Sequence, residues 1–212
     1  MPTPAEILAS LALIANDALA GAIAWHAAVA IVFAALGGGW QPTTRKARAL
    51  LALPLFSVSC MAFAFDNVFN GIVAIAGAVG LAALSRVGDR GLVRQGRWWI
   101  SSAGASMIVF AWVYPHFLRG SPLIYLVGAP LGLLPCPTLS LIVGFALLGN
   151  GLGSLAWSLA LSGLALFYGL FGVVNLRVTL DVGLILGAVA LLGVALVGAV
   201  SARQKAPARQ AA

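Results

Sequence analysis

Long apolar runs separated by short polar loops are the feature that most limits what this chain can fold into. Each run is close to the roughly 20 residues that a helix needs to cross the hydrocarbon core of a membrane. Only 8% of the residues are charged and 62% are hydrophobic, whereas a soluble domain has about 25% charged residues. So few charges cannot cover a globule with a surface that water tolerates. The sequence therefore predicts one integral membrane domain, a bundle of α-helices over residues 1–200.

The polar interruptions between the runs set the limits of about seven predicted spans. These cover residues 18–36, 49–65, 68–85, 98–114, 122–148, 152–173 and 179–200. Before them, Thr3, Pro4 and Glu6 form the pattern of an N-cap, a first helical residue and a capping-box partner, which predicts a short interfacial helix over residues 4–15. No Lys or Arg precedes the first apolar run, so we expect no cleavable signal peptide and insertion directed by the spans themselves.

The basic residues are distributed unevenly between the two sides of this bundle. If the N-terminus is outside, ten of the twelve Lys and Arg residues fall in cytoplasmic segments: Arg45, Lys46, Arg48, Arg86, Arg90, Arg94, Arg97, Arg203, Lys205 and Arg209. Only Arg119 and Arg177 fall outside. The positive-inside rule then predicts a cytoplasmic C-terminus and a polar cytoplasmic tail over residues 201–212. Orientation accounts for the net charge of +7, so we expect the lipid bilayer and not a nucleic acid as the partner.

Prolines interrupt the fifth predicted span at Pro130, Pro135 and Pro137. Proline removes an amide donor, and the freed backbone groups must find partners in the protein or in water. We therefore expect residues 130–137 to face the bundle interior, and Thr138 to cap a short helix over residues 139–149. Broken helices of this kind build substrate or ion sites in transporters. A structural kink without a ligand is the alternative.

Polar residues also gather at the predicted outer ends of the spans. They are Asp17, Asp66, Asn67, Asn70, His116, Arg119, Asn175, Arg177 and Asp181. A set of helix caps and interfacial ion pairs accounts for them, and a vestibule leading to the break is the functional alternative. The candidate substrate-binding residues are Pro135, Cys136, Pro137, Thr138, Asp17, Asp66, Asn70, His116 and Asp181.

Metal and enzyme motifs give no comparable signal. Sulfur and imidazole groups lie in the spans at His26, Cys60, Met61, Met107 and Cys136. Such ligands suit Cu(I) or Zn, but no two of them form a tight ligand motif, so we predict no metal and no cofactor.

The chain has no P-loop, HExxH or GxSxG, and we predict that it is not an enzyme. Cys136 acting as a nucleophile, with His116 or His26 as its base, is the enzymatic alternative.

The motif Pro135-Cys136-Pro137-Thr138 resembles a family of uncharacterised bacterial multi-pass membrane proteins that are grouped under a domain of unknown function. That family shares an Asn opening the first span, an Asn turn before the third, a Tyr-Pro ending the fourth, the P-x-P-T motif and an Asp near the start of the last span. The matching residues here are Asn16, Asn67 or Asn70, Tyr114-Pro115, Pro135 to Thr138, and Asp181. A Gly-His is expected before the Tyr-Pro, whereas here His116 follows it. The resemblance implies the helical fold and the bacterial cytoplasmic membrane, and it implies no activity.

Two functions fit these predictions. The first is a transporter or channel-like protein for a small solute or ion, with its site at the break between Pro130 and Thr138. The second is a non-catalytic accessory or assembly subunit of a larger membrane complex, whose partners are other membrane subunits or a second copy of the chain. Glycines spaced for close helix packing occur at Gly71, Gly77, Gly80, Gly163, Gly169, Gly172, Gly183 and Gly187. They fit a compact bundle, and a dimer face is the alternative.

Overall fold

The computed structural model describes residues 3–205 and is all-helical there. Nine α-helices occur in this part of the chain: α1 (Pro4–Asp17), α2 (Leu19–Gly37), α3 (Thr44–Ala64), α4 (Val68–Leu84), α5 (Trp98–Val113), α6 (Tyr125–Gly128), α7 (Pro135–Leu148), α8 (Leu155–Val174) and α9 (Val182–Lys205). Short 3-10 turns precede α6, α8 and α9. An isolated bridge between Thr43 and Leu92 is the one β-type pairing within residues 3–205. The predicted all-α fold is confirmed, and residues 206–212 of the predicted tail lie outside the described residues.

Four helical stretches are long and apolar enough to cross a membrane. They cover residues 19–37, 44–64, 155–174 and 179–201. The apolar helices α4, α5 and α7 are shorter, with 17, 16 and 14 residues. At 1.5 Å per residue they reach about 21–26 Å, against a hydrocarbon core of about 30 Å. By length and composition these apolar helices are compatible with a membrane protein, and four of them, rather than the predicted seven, have spanning length.

Helix α1 begins as its sequence predicts. Thr3 is the N-cap, its hydroxyl accepts from the Glu6 amide, and the Glu6 carboxylate accepts from the Thr3 amide at 2.6 Å. The bond from the Thr3 amide lowers the pKa of the Glu6 carboxyl most, and a second bond, which the Thr3 hydroxyl donates to the carboxylate at 3.0 Å, lowers it further. The buried face of α1 packs Leu11 and Ile14 against a cluster that includes Leu133 and Leu134. Helix α1 therefore lies over the break in the fifth predicted span.

Helix α7 is the centre of the bundle. Residues 137–144 are all buried, and α7 packs against α3, α5, α8 and α9. It crosses α5 at two glycines, because a Cβ added to Gly104 would lie 2.7 Å from the Gly144 carbonyl oxygen, and one added to Gly144 would lie 2.8 Å from the Gly104 oxygen. This contact lets the two backbones meet without side chains between them.

The loops gather at two ends of the bundle. At one end, which we call the basic end, the amide of Thr44 donates to Gly91 and that of Asp89 donates to Gly153. At the opposite end the Asn16 side chain donates to the Phe117 carbonyl at 2.9 Å and accepts from the Arg119 amide at 2.9 Å. The turn between α3 and α4 also lies there, with Asp66 at φ +56° and Asn67 as the N-cap of α4.

Arg48 holds the basic end together. The sequence places it in a loop before the second span, but α3 begins at Thr44, and the Arg48 side chain is fully buried (0% exposed). Its guanidinium donates to the carbonyl oxygens of Ser85 and Asp89 at 3.1 and 3.0 Å, and also to that of Leu152. One cation therefore donates hydrogen bonds to backbone carbonyls at the end of α4, in the following loop and in the turn before α8.

Most of the predicted packing glycines meet other helices of the same chain. Gly183 and Gly187 of α9 face Phe110 and Met107 of α5. By contrast, Gly80 and Gly163 have nothing within 4 Å of an added Cβ.

Candidate site at the break between α6 and α7

The break in the fifth predicted span is present and is buried. Helix α6 ends at Gly128, α7 begins at Pro135, and residues 129–134 between them are all buried. The backbone amides of residues 131–134 all have partners within the protein. Leu131 donates to Ala129, and Leu133 and Leu134 both donate to Pro130. The Gly132 amide donates to the Thr138 hydroxyl at 2.9 Å. The predicted burial of this segment is thus confirmed, and its non-helical backbone needs no water to satisfy these amides.

Trp25 of α2 covers the sharpest point of the break. Gly132 has φ +70°, and a Cβ there would lie 2.2 Å from the indole ring of Trp25. The indole nitrogen donates to the Ser57 hydroxyl at 2.9 Å, which fixes the ring against α3. Glycine is required at this position both by its left-handed conformation and by the close contact.

The prediction that Thr138 caps this helix is wrong. The N-cap is Leu134, and Thr138 lies in the first turn, where its hydroxyl donates to the Leu134 carbonyl at 2.6 Å while accepting from Gly132. The first amides of a helix have no partner within it. Pro135 and Pro137 carry no amide hydrogen, so Cys136 is the sole amide donor among the first three helical residues. Because the prolines have no amide hydrogen, fewer unpaired amides are buried at this helix start. At other helix starts a capping side chain pairs such amides instead.

Asp181 reaches this helix start from the other side of the bundle. It ends the 3-10 turn before α9 and is 1% exposed. The Tyr114 hydroxyl donates to one carboxylate oxygen at 2.7 Å, and the Cys136 thiol donates to the other at 3.2 Å. Gly172 of α8 makes room for the carboxylate, because an added Cβ would lie 1.8 Å from its oxygen. Residues just after α5, in α7 and α8, and just before α9 therefore build one buried polar cluster.

A small cavity lies beside this cluster. Its volume is about 20 Å³, and its lining includes Tyr114, Cys136 and Asp181 together with Leu11 of α1. A cavity needs roughly 10–15 Å³ and two or more polar partners to hold a water molecule. The space therefore suits one water or ion and is too small for an organic solute in this conformation.

The other predicted site residues divide between this cavity and more distant positions. Pro135 and Pro137 line the cavity with Cys136 and Asp181. Asp17 and Asp66 are exposed, and Asn70 is buried in the first turn of α4.

His116 is half-buried in the loop after α5, with its ring 4.1 Å from that of Phe117 between centroids. Burial lowers the pKa of His116 from its ordinary value. The structure thus brings four of the nine predicted residues to one cavity, whereas the Thr138 hydroxyl bonds the break at Gly132 and Leu134.

The sulfur and imidazole groups of the spans are not assembled into a ligand set. Within the described chain, no three His, Cys, Asp or Glu residues are grouped closely enough to hold a metal ion. Both ring nitrogens of His26 face carbonyl oxygens, those of Ala22 and Trp112 at 2.9 and 3.0 Å. Cys60 is exposed on α3, away from Cys136.

Tyr114 is the main site residue that sequence reasoning did not select. It appears in the sequence only as half of a Tyr-Pro at the end of a span, and no spacing links it to Asp181, 67 residues later. The shared motif of the resembling family contains both residues, which was the available signal.

No family model matches the chain, and no curated protein or solved structure is significantly similar to it. Any functional argument therefore depends on the fold and on this cluster.

Proposed function

We propose that the chain is a multi-pass protein of the bacterial cytoplasmic membrane, related to the P-x-P-T family that it resembles. In this proposal it crosses the bilayer seven times with its N-terminus outside. The crossings are α2, α3, α4, α5, the broken pair α6 and α7, α8 and α9. The gathering of Arg45, Lys46, Arg90 and Arg94 at one end of the bundle supports this orientation.

Within that topology, we propose proton transport that needs no co-transported solute, with Asp181 as the proton-binding group. The observation that carries the proposal is the buried Asp181 carboxylate held between Tyr114 and Cys136 at a broken helix. An ionisable residue inside a membrane bundle marks an ion or proton pathway more often than a structural need. The charged carboxylate accepts both hydrogen bonds, and the neutral acid donates one itself, so one geometry serves both protonation states.

A series of buried hydroxyls supports a path away from Asp181. Ser140 lies one turn after Cys136 on α7, and Ser162 and Tyr168 lie on the buried face of α8. None of these three hydroxyls has a hydrogen-bond partner within residues 3–205. A helical serine in a membrane usually bonds the carbonyl one turn earlier. Unpaired hydroxyls of this kind are suited to binding transient water along the α7–α8 contact, toward Ser158 near the basic end.

The size of the cavity favours a proton over an organic substrate at this position. A space of about 20 Å³ admits a water molecule, and a solute would require the break to open. An enzymatic role for Cys136 has less support, because the nearest polar partner of its thiol is a carboxylate and not an imidazole.

Proton flux into liposomes tests the proposal directly. The purified protein is reconstituted with a pH-sensitive dye inside, and a pH gradient is imposed while valinomycin and potassium hold the membrane potential. We expect the wild-type flux to be well above that of protein-free liposomes. Asp181→Asn should lower the flux at least about tenfold, because the amide cannot exchange a proton and a positioned proton-transfer group typically raises a rate a hundredfold or more.

Asp66→Asn is the matched control for charge removal. Asp66 is exposed and sits at φ +56°, a conformation that asparagine tolerates as well as aspartate. This variant should retain the wild-type flux. Wild-type flux at the protein-free level, or an unchanged flux for Asp181→Asn, would contradict the proposal.

An accessory subunit is the second candidate, and one surface favours it. Small side chains spaced i, i+4 and i+7 are exposed on α8, at Ala156, Ala160 and Gly163. In lipid, such a stripe lets the backbone of another helix approach closely. The near-solid packing of the break also agrees with this candidate.

Purification in mild detergent distinguishes the two candidates. A subunit is expected to copurify with a stoichiometric partner chain, and Ala156→Leu with Ala160→Leu is expected to release it while the chain stays folded. If the wild-type chain purifies alone as a monomer, the accessory role is refuted.

A further inference from the structure

A second cavity is a groove between α2 and the bundle, which shares no lining residue with the cavity beside Asp181. Its volume is about 500 Å³, within the range of small-molecule sites. One wall is the second half of α2, with Val32 and Leu36, and the other walls are Leu50 and Pro54 of α3 and Leu148 of α7. The lining is almost entirely apolar, so a polar solute would not be retained there.

The groove exists because α2 is attached firmly at one end only. Its first half is held by hydrogen bonds from Trp25 to Ser57 and between His26 and Trp112. Further along, the ring of Phe33 crosses the groove and stacks on Phe145 of α7 at 5.4 Å between centroids. Two bulky rings hold the helices apart and leave the space on either side unfilled.

The mouth of the groove is polar and lies at the basic end. Gln41 and Gln95 line it, and the Val93 amide donates to the Pro42 carbonyl at 3.0 Å, which joins the two loops there. Arg94 lies between two lining residues, and Arg45 and Lys46 follow in the first turn of α3. All three cations are exposed.

Little negative charge opposes these cations. Of the five acidic residues in the chain, Asp89 alone lies at the basic end, and one of its carboxylate oxygens accepts from the Gly91 amide. A mouth with this charge balance attracts a phosphate group, and each nearby Lys or Arg strengthens binding to an anionic membrane surface.

The length of the groove agrees with a lipid tail. From Trp25 to Leu36, the stretch of α2 along its wall rises about 17 Å, slightly more than the roughly 15 Å thickness of one hydrocarbon leaflet. An acyl chain entering at the basic end can therefore lie along the groove for its full length.

We propose that this groove is a binding site for an anionic glycerophospholipid of the cytoplasmic leaflet. One acyl chain lies along α2 between the two tryptophans, and the phosphate headgroup meets Arg45, Lys46 and Arg94. The site requires that the chain is embedded in a bilayer, and it does not depend on proton transport by Asp181.

Fluorescence quenching by brominated lipids tests the site in the intact protein. The wild-type chain is reconstituted in phosphatidylcholine vesicles that contain a small fraction of lipid with brominated acyl chains, either phosphatidylglycerol or phosphatidylcholine. We expect the phosphatidylglycerol probe to quench tryptophan fluorescence more strongly at equal mole fraction, since Trp25 and Trp40 line the groove. Trp40→Phe should reduce the difference between the two probes.

Two variants separate the headgroup from the chain. Arg45→Gln with Arg94→Gln should weaken the preference for phosphatidylglycerol by about thirtyfold, because two surface cations are lost. Ala28→Phe, which fills the groove without changing a charge, should reduce quenching by both probes. Arg86→Gln with Arg119→Gln is the matched control for net charge and should behave as wild type.

Equal quenching of the wild type by the two probes would overturn the proposal. So would an unchanged preference in the Arg45 and Arg94 double variant. A partner chain that copurifies and blocks quenching until it is removed would show that a protein helix, and not a lipid, occupies the groove.

Discussion

Replacing Arg48 with methionine is expected to lower the free energy of unfolding by about 3–5 kcal/mol, because each buried polar group left without a partner costs about 1–3 kcal/mol. Methionine keeps most of the length of the side chain and fills a similar volume. It cannot donate a hydrogen bond, so the carbonyl oxygens of Ser85, Asp89 and Leu152 all lose their guanidinium donor. The loops at the basic end should then separate before the helices unfold.

Unfolding of the detergent-solubilised protein by titration with a denaturing detergent, followed by circular dichroism, measures the effect. Arg45→Met is the matched control, since Arg45 lies one turn earlier on α3 and is exposed. Its substitution should change the unfolding free energy by less than about 0.5 kcal/mol. Equal destabilisation by the two substitutions would mean that the hydrogen bonds of Arg48 do not hold the basic end together.

The position of Arg48 shows where sequence reasoning stops. Hydrophobic runs and loop charges placed it correctly at the basic end, but they treated it as one of several orienting cations. Nothing in the local sequence distinguishes it from Arg45, because its burial depends on a loop about 40 residues later and a turn about 100 residues later. A pattern within one helix carries no information on such long-range carbonyl partners.

The break shows the reverse case, in which local chemistry was enough for the main feature. Proline geometry predicted a buried interruption around residues 130–137, and the structure confirms it. The capping role given to Thr138 was wrong because the sequence rule assumes that the orphan amides of a helix start need an acceptor. At this start two of the first three residues are prolines, so Thr138 is left to bond the break itself through Gly132.

The cluster around Asp181 was predicted only in part. Both Asp181 and Cys136 were selected, but in two separate sets, one at the outer ends of the spans and one in the break. They meet because α9 packs against α7 and because Gly172 leaves the space that the carboxylate occupies. From the sequence alone, Gly172 is predicted only to allow close packing between helices. A glycine that makes room for one side chain has the same sequence pattern as one that makes room for a neighbouring helix.

Gly172→Ala is therefore expected to be the most damaging small substitution in α8, with a loss of about 2–4 kcal/mol in the free energy of unfolding. The added methyl group would lie 1.8 Å from one carboxylate oxygen of Asp181 and 2.8 Å from its Cγ. Asp181 must then move, and its hydrogen bonds from Tyr114 and Cys136 must lengthen or break. Gly163→Ala on the same helix is the matched control, because an added Cβ there meets nothing within 4 Å. Alanine has the higher helix propensity, so the control should be neutral or slightly stabilising.

A double-mutant cycle with Asp181→Ala identifies the cause of that loss. If the clash with the carboxylate is responsible, Gly172→Ala should cost little once Asp181 is already alanine, and the two substitutions should be non-additive by about 1–3 kcal/mol. Additive effects would instead attribute the loss to the contact between α8 and α9 as a whole.

The Gly172→Ala variant also tests function, because it displaces Asp181 without altering any titratable residue. A folded Gly172→Ala protein with lowered proton flux would show that the position of the carboxylate matters for transport, and not only its presence.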